Sequence, residues 1–157
     1  MTEDEKLSGS LAIPVSQGEP EDLGEFLYEW QIPSDEALVS SLVVRVTDFL
    51  VGEGFISKSE RNRVGLCVVE ALRNAVMHGN REDFKKLVKV RVYLQGMRWT
   101  VEVEDEGKGY DPEEIASPLG EDGMWGESGR GLSLISINSD QTRLFRSGAT
   151  IVFSRFL

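Results

Sequence analysis

Glu70, Asn74 and His78 recur every four residues in the run Glu70-Ala-Leu-Arg-Asn74-Ala75-Val-Met-His78-Gly79-Asn80. At about 100° per residue they make one polar stripe on a helix, about 80° wide. Val64, Val68, Ala71 and Ala75 make an apolar stripe beside it. A carboxylate and a carboxamide one turn apart, at the margin of a buried face, are held rigidly and partly shielded from water. That setting suits a metal ligand next to a general base. The same spacing also describes an amphipathic helix with a polar edge, so the stripe needs partners from elsewhere in the chain to decide the matter.

A second carboxylate stands at the end of an alternating run. Val88, Val90, Val92 and Leu94 share one parity, Gln95-Gly96-Met97-Arg98 reads as a turn, and Trp99, Val101 and Val103 resume the alternation. Asp105 has the parity of these residues. Its side chain is expected on the core side where the strand ends, a costly place for a charge without a partner. The alternative is that the strand has stopped and Asp105 faces solvent. A carboxylate at a strand end can accept a hydrogen bond from an exocyclic amine such as that of adenine, and Gly107 and Gly109 after it let backbone approach a flat ring closely. Ser128-Gly129-Arg130-Gly131-Leu132 opens a helix, where glycines leave N–H groups for phosphate oxygens. Asn74 can supply one oxygen to a magnesium ion that otherwise holds phosphates and water. The fourth piece is Gly148-Ala149-Thr150, leading into the last strand.

These groups must be positioned by the elements around them. Residues 1–22 mix Ser, Gly, Pro and acids without apolar period and read as a mobile acidic tail before a single domain over residues 23–157. Glu25 to Ile32 looks extended, and Pro33 ends it. Ser34 is expected to cap a helix carrying Leu38, Leu42, Val46, Phe49 and Leu50, closed by Gly52 and Gly54. Ser57 and Glu60 form a capping box that opens the helix of Glu70, which runs to about Gly79. The Gly- and Pro-rich stretch from Gly107 to Gly131 reads as a lid over about residues 110–128. Leu132, Leu134, Ile135 and Ile137 then suit a short helix. Strands around Thr142 to Phe145 and Ala149 to Phe156 follow, with Ser147-Gly148 as their turn.

Composition removes several classes of function. The 157 residues carry a net charge of −10, the wrong sign for holding a nucleic-acid backbone, though not for one triphosphate held by a metal ion and backbone N–H groups. No apolar run approaches a membrane span of roughly 20 residues, and Met1-Thr-Glu-Asp-Glu-Lys does not resemble a signal peptide, so a cytoplasmic location is expected. One cysteine and one histidine make a structural zinc site untenable, and Cys67 reads as a small core residue.

The order and spacing of the four pieces carry a resemblance. Glu70-x-x-x-Asn74-Ala75-x-x-His78-Gly79 is similar to the N box, Asp105-x-Gly107-x-Gly109 to the G1 box, and Gly129-x-Gly131-Leu132 to the G2 box of the GHKL ATPase superfamily with its Bergerat ATP-binding fold. Within it the chain most resembles the bacterial anti-sigma-factor serine kinases. The resemblance implies an α/β (α+β) two-layer sandwich, a mixed, mostly antiparallel sheet with helices on one face. It implies ATP and Mg2+ as cofactors, with Asn74 holding magnesium and Glu70 acting as the base. Asp105 would read the adenine amine, Gly107 and Gly109 would give room, and Gly129, Arg130, Gly131 and Leu132 would lie along the phosphates. It implies phosphorylation of a STAS-domain anti-anti-sigma partner, sequestration of a sigma factor, and a homodimer. The non-catalytic alternative is a module whose ATP or ADP switches partner affinity without transfer. The family's Gly-Thr before the last strand is here Gly148-Ala149-Thr150, so either Thr150 takes over the adenine-end contact by a small shift or that contact is missing. His78 is expected to end the helix and hydrogen-bond locally.

Overall fold

The computed structural model describes residues 13–109 and 126–157. Five strands form one sheet in the order β1-β2-β3-β5-β4, with every neighbouring pair antiparallel. The strands are β1 (Glu25–Pro33), β2 (Leu87–Gln95), β3 (Arg98–Glu104), β4 (Gln141–Phe145) and β5 (Thr150–Phe156). Three helices, α1 (Val39–Gly52), α2 (Arg61–Arg73) and α3 (Gly126–Ile137), cover one face. This is the α+β architecture expected, with helices on one side of an antiparallel sheet.

The alternating valines set the register. Val88, Val90 and Val92 pair across β2–β3 in line with Val103 and Val101, and all five are buried beneath α1 and α2. α1 contributes Leu42, Val46 and Leu50 to the core, and α2 contributes Val64, Cys67, Val68, Ala71 and Leu72. Cys67 is a core residue, and burial pushes its thiol up to about 11, where it is inert. The Gly96-Met97 turn joins β2 to β3, with Gly96 in the left-handed region at φ 60. The Ser57–Glu60 capping box is formed as expected.

Two local expectations change. Asp35, not Ser34, caps the turn before α1, its carboxylate accepting from Ala37 N–H at 2.9 Å. Ser34 is fully buried and bonded elsewhere. Residues 1–12 of the expected tail lie outside the described residues, but residues 14–18 run along the free edge of β4. There Leu144 N–H donates to Pro14 O and Ser16 N–H to Leu144 O, both at 2.9 Å. The chain then crosses the outer face of the sheet, where Leu23 packs on Phe145 and Val152. Among the described residues no helix is long and apolar enough to cross a membrane.

Candidate functional site

The last turn of α2 widens. Residues Asn74–Gly79 continue the helix as a π turn, closed by Asn80 N–H donating to Ala75 O at 2.8 Å, five residues back. Such turns insert one residue and re-aim side chains, which is why they gather at functional sites. Here the turn presents Asn74 and His78 to a cleft of about 540 Å³. The opposite wall is the end of β3 with Asp105, Gly107 and Gly109, and Gly148 and Ile151 close the side. Arg81, Lys86 and Lys108 stand along the same lining, interleaved with the carboxylates of Asp83, Asp105 and Glu106.

Asp105 points inward, as its parity implied, and is 4% exposed. Its Oδ1 accepts from Gly107 N–H at 2.7 Å, and its own N–H donates to Ala149 O at 2.9 Å. Burial pushes its carboxyl up to about 7, against the opposing pull of the Gly107 N–H and the Arg146 guanidinium. The sign of the stability effect follows. From about pH 4 to 7 the Asp105 carboxyl of the folded state keeps a proton that the unfolded chain has released, so the contribution of this group to the stability of the ligand-free protein falls as pH rises through this window. The slope is at most about 1.4 kcal/mol per pH unit, and it vanishes above the folded value. Chemical denaturation across this range should show that fall, and Asp105→Asn should flatten it; an unchanged slope in the variant would remove Asp105 as its source.

Two glycines give this carboxylate its place. A Cβ at Gly79 would stand 2.1 Å from Asp105 Oδ2, and one at Gly107 would stand 2.5 Å from Gly79 O. Gly79 does not have a positive φ, so its role is close approach, not a left-handed helix stop. Gly109 does adopt φ 76, and a Cβ there would lie 2.5 Å from Ser147 O. The turn it touches is itself unusual, since Arg146, Ser147 and Gly148 have φ of 49, 57 and 100. Left-handed non-glycine residues cost about 1 kcal/mol each. The N-terminal segment offsets this: Arg146 N–H donates to Gly18 O and Ser147 N–H to Ser16 O. The Arg146 guanidinium adds bonds to Glu104 Oε1 at 3.1 Å and Asp105 O at 3.3 Å.

Asn74 is buried, and its Nδ2 has no hydrogen-bond partner among the described residues. A buried carboxamide left free beside a cleft fits a ligand still to come, and its oxygen suits one site of a magnesium ion. Among the described residues no cluster of three or more His, Cys, Asp or Glu could hold a metal by protein alone. His78 is exposed at the cleft rim, and among the described residues its ring makes no hydrogen bond, so the expected local bond is not found.

Glu70 lies one turn before Asn74, partly buried where α3 crosses α2. A Cβ at Gly131 would stand 2.6 Å from Glu70 Oε2, so the glycine lets the backbone of α3 pass over this carboxylate. The remaining expected residues divide. Most of the lid lies outside the described residues, and α3 begins at Gly126, earlier than the expected opening at Ser128. Among the described residues the free N–H groups of this helix therefore belong to residues 126–128, while Arg130 and Gly131 stand within its second turn. Leu132 is a correction: it packs in the core with Ile135 and does not reach the cleft. Thr150 is another. It pairs with Glu104 across β3–β5, on the face opposite Val103 and Ile151, and its buried hydroxyl has no partner among the described residues. Strand alternation turns it away from Asp105.

Residues 32–154, more than half of the chain, match the family described as the histidine kinase-like ATPase domain. No curated protein matches the chain.

Proposed function

Because the chain belongs to the histidine kinase-like ATPase family of the GHKL superfamily, we propose that its ATP serves a magnesium-dependent serine kinase acting on a STAS-domain anti-anti-sigma protein, and that the chain otherwise sequesters a sigma factor. The observation that carries this reading is the Glu70–Asn74 pair on consecutive turns, with Gly131 keeping space above the carboxylate. A module that only binds nucleotide has no need of that carboxylate beside the carboxamide. Glu70 would orient the partner's serine hydroxyl and take its proton; Asp105 would accept the adenine amine, with Gly107 and Gly109 leaving room for the ring. Asn74 would hold the magnesium ion, which supplies charge neutralisation at the phosphate oxygens when bound. The free N–H groups of Gly126, Glu127 and Ser128 at the start of α3 would meet the phosphates. The histidine count of one, with His78 at the cleft rim, leaves no other histidine in the chain as an internal phosphoacceptor.

The second reading, an ATP- or ADP-dependent switch without transfer, draws on one feature. Glu70 is not among the residues lining the cleft, because α3 lies over it. In the kinase reading α3 shifts off Glu70 when nucleotide and partner bind.

Two experiments follow. Asn74→Ala should raise the magnesium concentration needed for half-maximal ATP binding by about tenfold, since one of few protein-supplied oxygens is lost; calorimetry showing unchanged magnesium dependence would count against the assignment. The regulatory half is tested by loading the chain with a sigma factor and adding an unphosphorylated STAS partner. Release is expected, and a partner whose acceptor serine is replaced by aspartate should not cause it.

A further inference from the structure

The side chain of Asn80 is 1% exposed and ties four segments together. Its Oδ1 accepts from Glu106 N–H at 2.7 Å, and its Nδ2 donates to Leu87 O at 3.0 Å and to Ser34 Oγ at 2.8 Å. Ser34 in turn donates to Lys86 O at 2.8 Å. Three of the four hydrogen-bonding positions of the carboxamide are thus occupied, by the end of β3, the start of β2 and the end of β1. The backbone N–H of the same residue closes the π turn that carries Asn74.

What this clasp holds is the seat of Asp105. Glu106, anchored by Asn80, lies between Asp105 and Gly107, whose N–H fixes the carboxylate. Gly79, adjacent to Asn80, abuts the same carboxylate from the other side. Resting on the reading of Asp105 as the group that meets the adenine amine, we propose that Asn80 is a positioning residue that sets base selectivity, by fixing the Asp105 strand end against the π turn. Adenine presents an amine donor at the position where guanine presents a carbonyl oxygen. A firmly placed carboxylate accepts from the first and repels the second, whereas a loosely placed one does neither well. The three bonds need a carboxamide at this reach: glutamine is one methylene longer, aspartate turns an oxygen toward Leu87 O, and alanine makes none of them.

The test is calorimetric titration of the full chain with ATP and with GTP, for the wild type, Asn80→Asp and Ser34→Ala. The wild type should prefer ATP. Asn80→Asp should lower that preference at least about tenfold, through weaker ATP binding, and Ser34→Ala, which leaves the bonds to Glu106 and Leu87 in place, by about threefold. A purely structural role lowers the folded fraction and weakens both nucleotides alike, so an unchanged ATP-to-GTP ratio in a folded variant overturns the proposal. Should Asn80→Asp not fold, the ratio in Ser34→Ala decides by the same criterion. A wild-type chain with no preference for ATP overturns the assignment of Asp105 itself, which separates that failure from a failure of the clasp.

Discussion

A Gly79→Ala variant should lose ATP affinity by on the order of 10²-fold while remaining folded, the loss expected when a charged hydrogen-bond acceptor is displaced from its ligand. The new methyl would stand 2.1 Å from Asp105 Oδ2 and 2.2 Å from its Cγ, closer than any real contact. Gly79 sits in the π turn, held by the bonds of Asn80, and cannot retreat without breaking them. The side chain of Asp105 is the softer partner, so it is the carboxylate that leaves its place. Calorimetric titration measures the affinity, and far-ultraviolet circular dichroism checks the fold. Wild-type affinity in this variant would mean that the Asp105 carboxylate does not contact the nucleotide. A control at Gly52, where a Cβ would meet nothing within 4 Å, should bind ATP as the wild type does.

Glu70→Gln should retain ATP binding and lower phosphoryl transfer to a STAS partner by 10²-fold or more, on the order of what a lost general base costs. Glutamine has the shape of glutamate and leaves the passage of α3 over Gly131 undisturbed, so the fold and the cleft remain as they are. What it lacks is the ability to take the proton from the serine hydroxyl. Quenched-flow single-turnover measurement at saturating ATP isolates this step from binding. Transfer at the wild-type rate would show that Glu70 serves packing between α2 and α3 and nothing more.

The parts of this architecture that were legible in the sequence are those written in local periodicity. The valines of β2 and β3, the Ser57–Glu60 capping box and the inward parity of Asp105 each depend on residues a few positions apart, and each stands where expected. What was not legible depends on distant partners. Asn80 meets Ser34 from 46 positions away, and no local pattern announces that a serine after Pro33 leaves its capping position to a neighbouring Asp35. Gly79 reads in sequence as a helix end. Its use, room for a carboxylate from another strand, becomes visible only when β3 is in place. Thr150 and Leu132 were drawn toward the site by motif position, but alternation along β5 and the apolar face of α3 turn them elsewhere. Residues 14–18 have the composition of a tail and still dock, because the open edge of β4 offers backbone partners that require no particular side chain.

Phosphoryl transfer is decided by incubating the chain with γ-labelled ATP, magnesium and purified STAS-domain proteins, then locating the label by mass spectrometry. Phosphoserine is expected on one STAS partner, formed by the wild type and nearly absent with Glu70→Gln. ATP bound in the cleft while every STAS partner remains unlabelled would contradict it, and would leave the chain as a nucleotide-dependent switch.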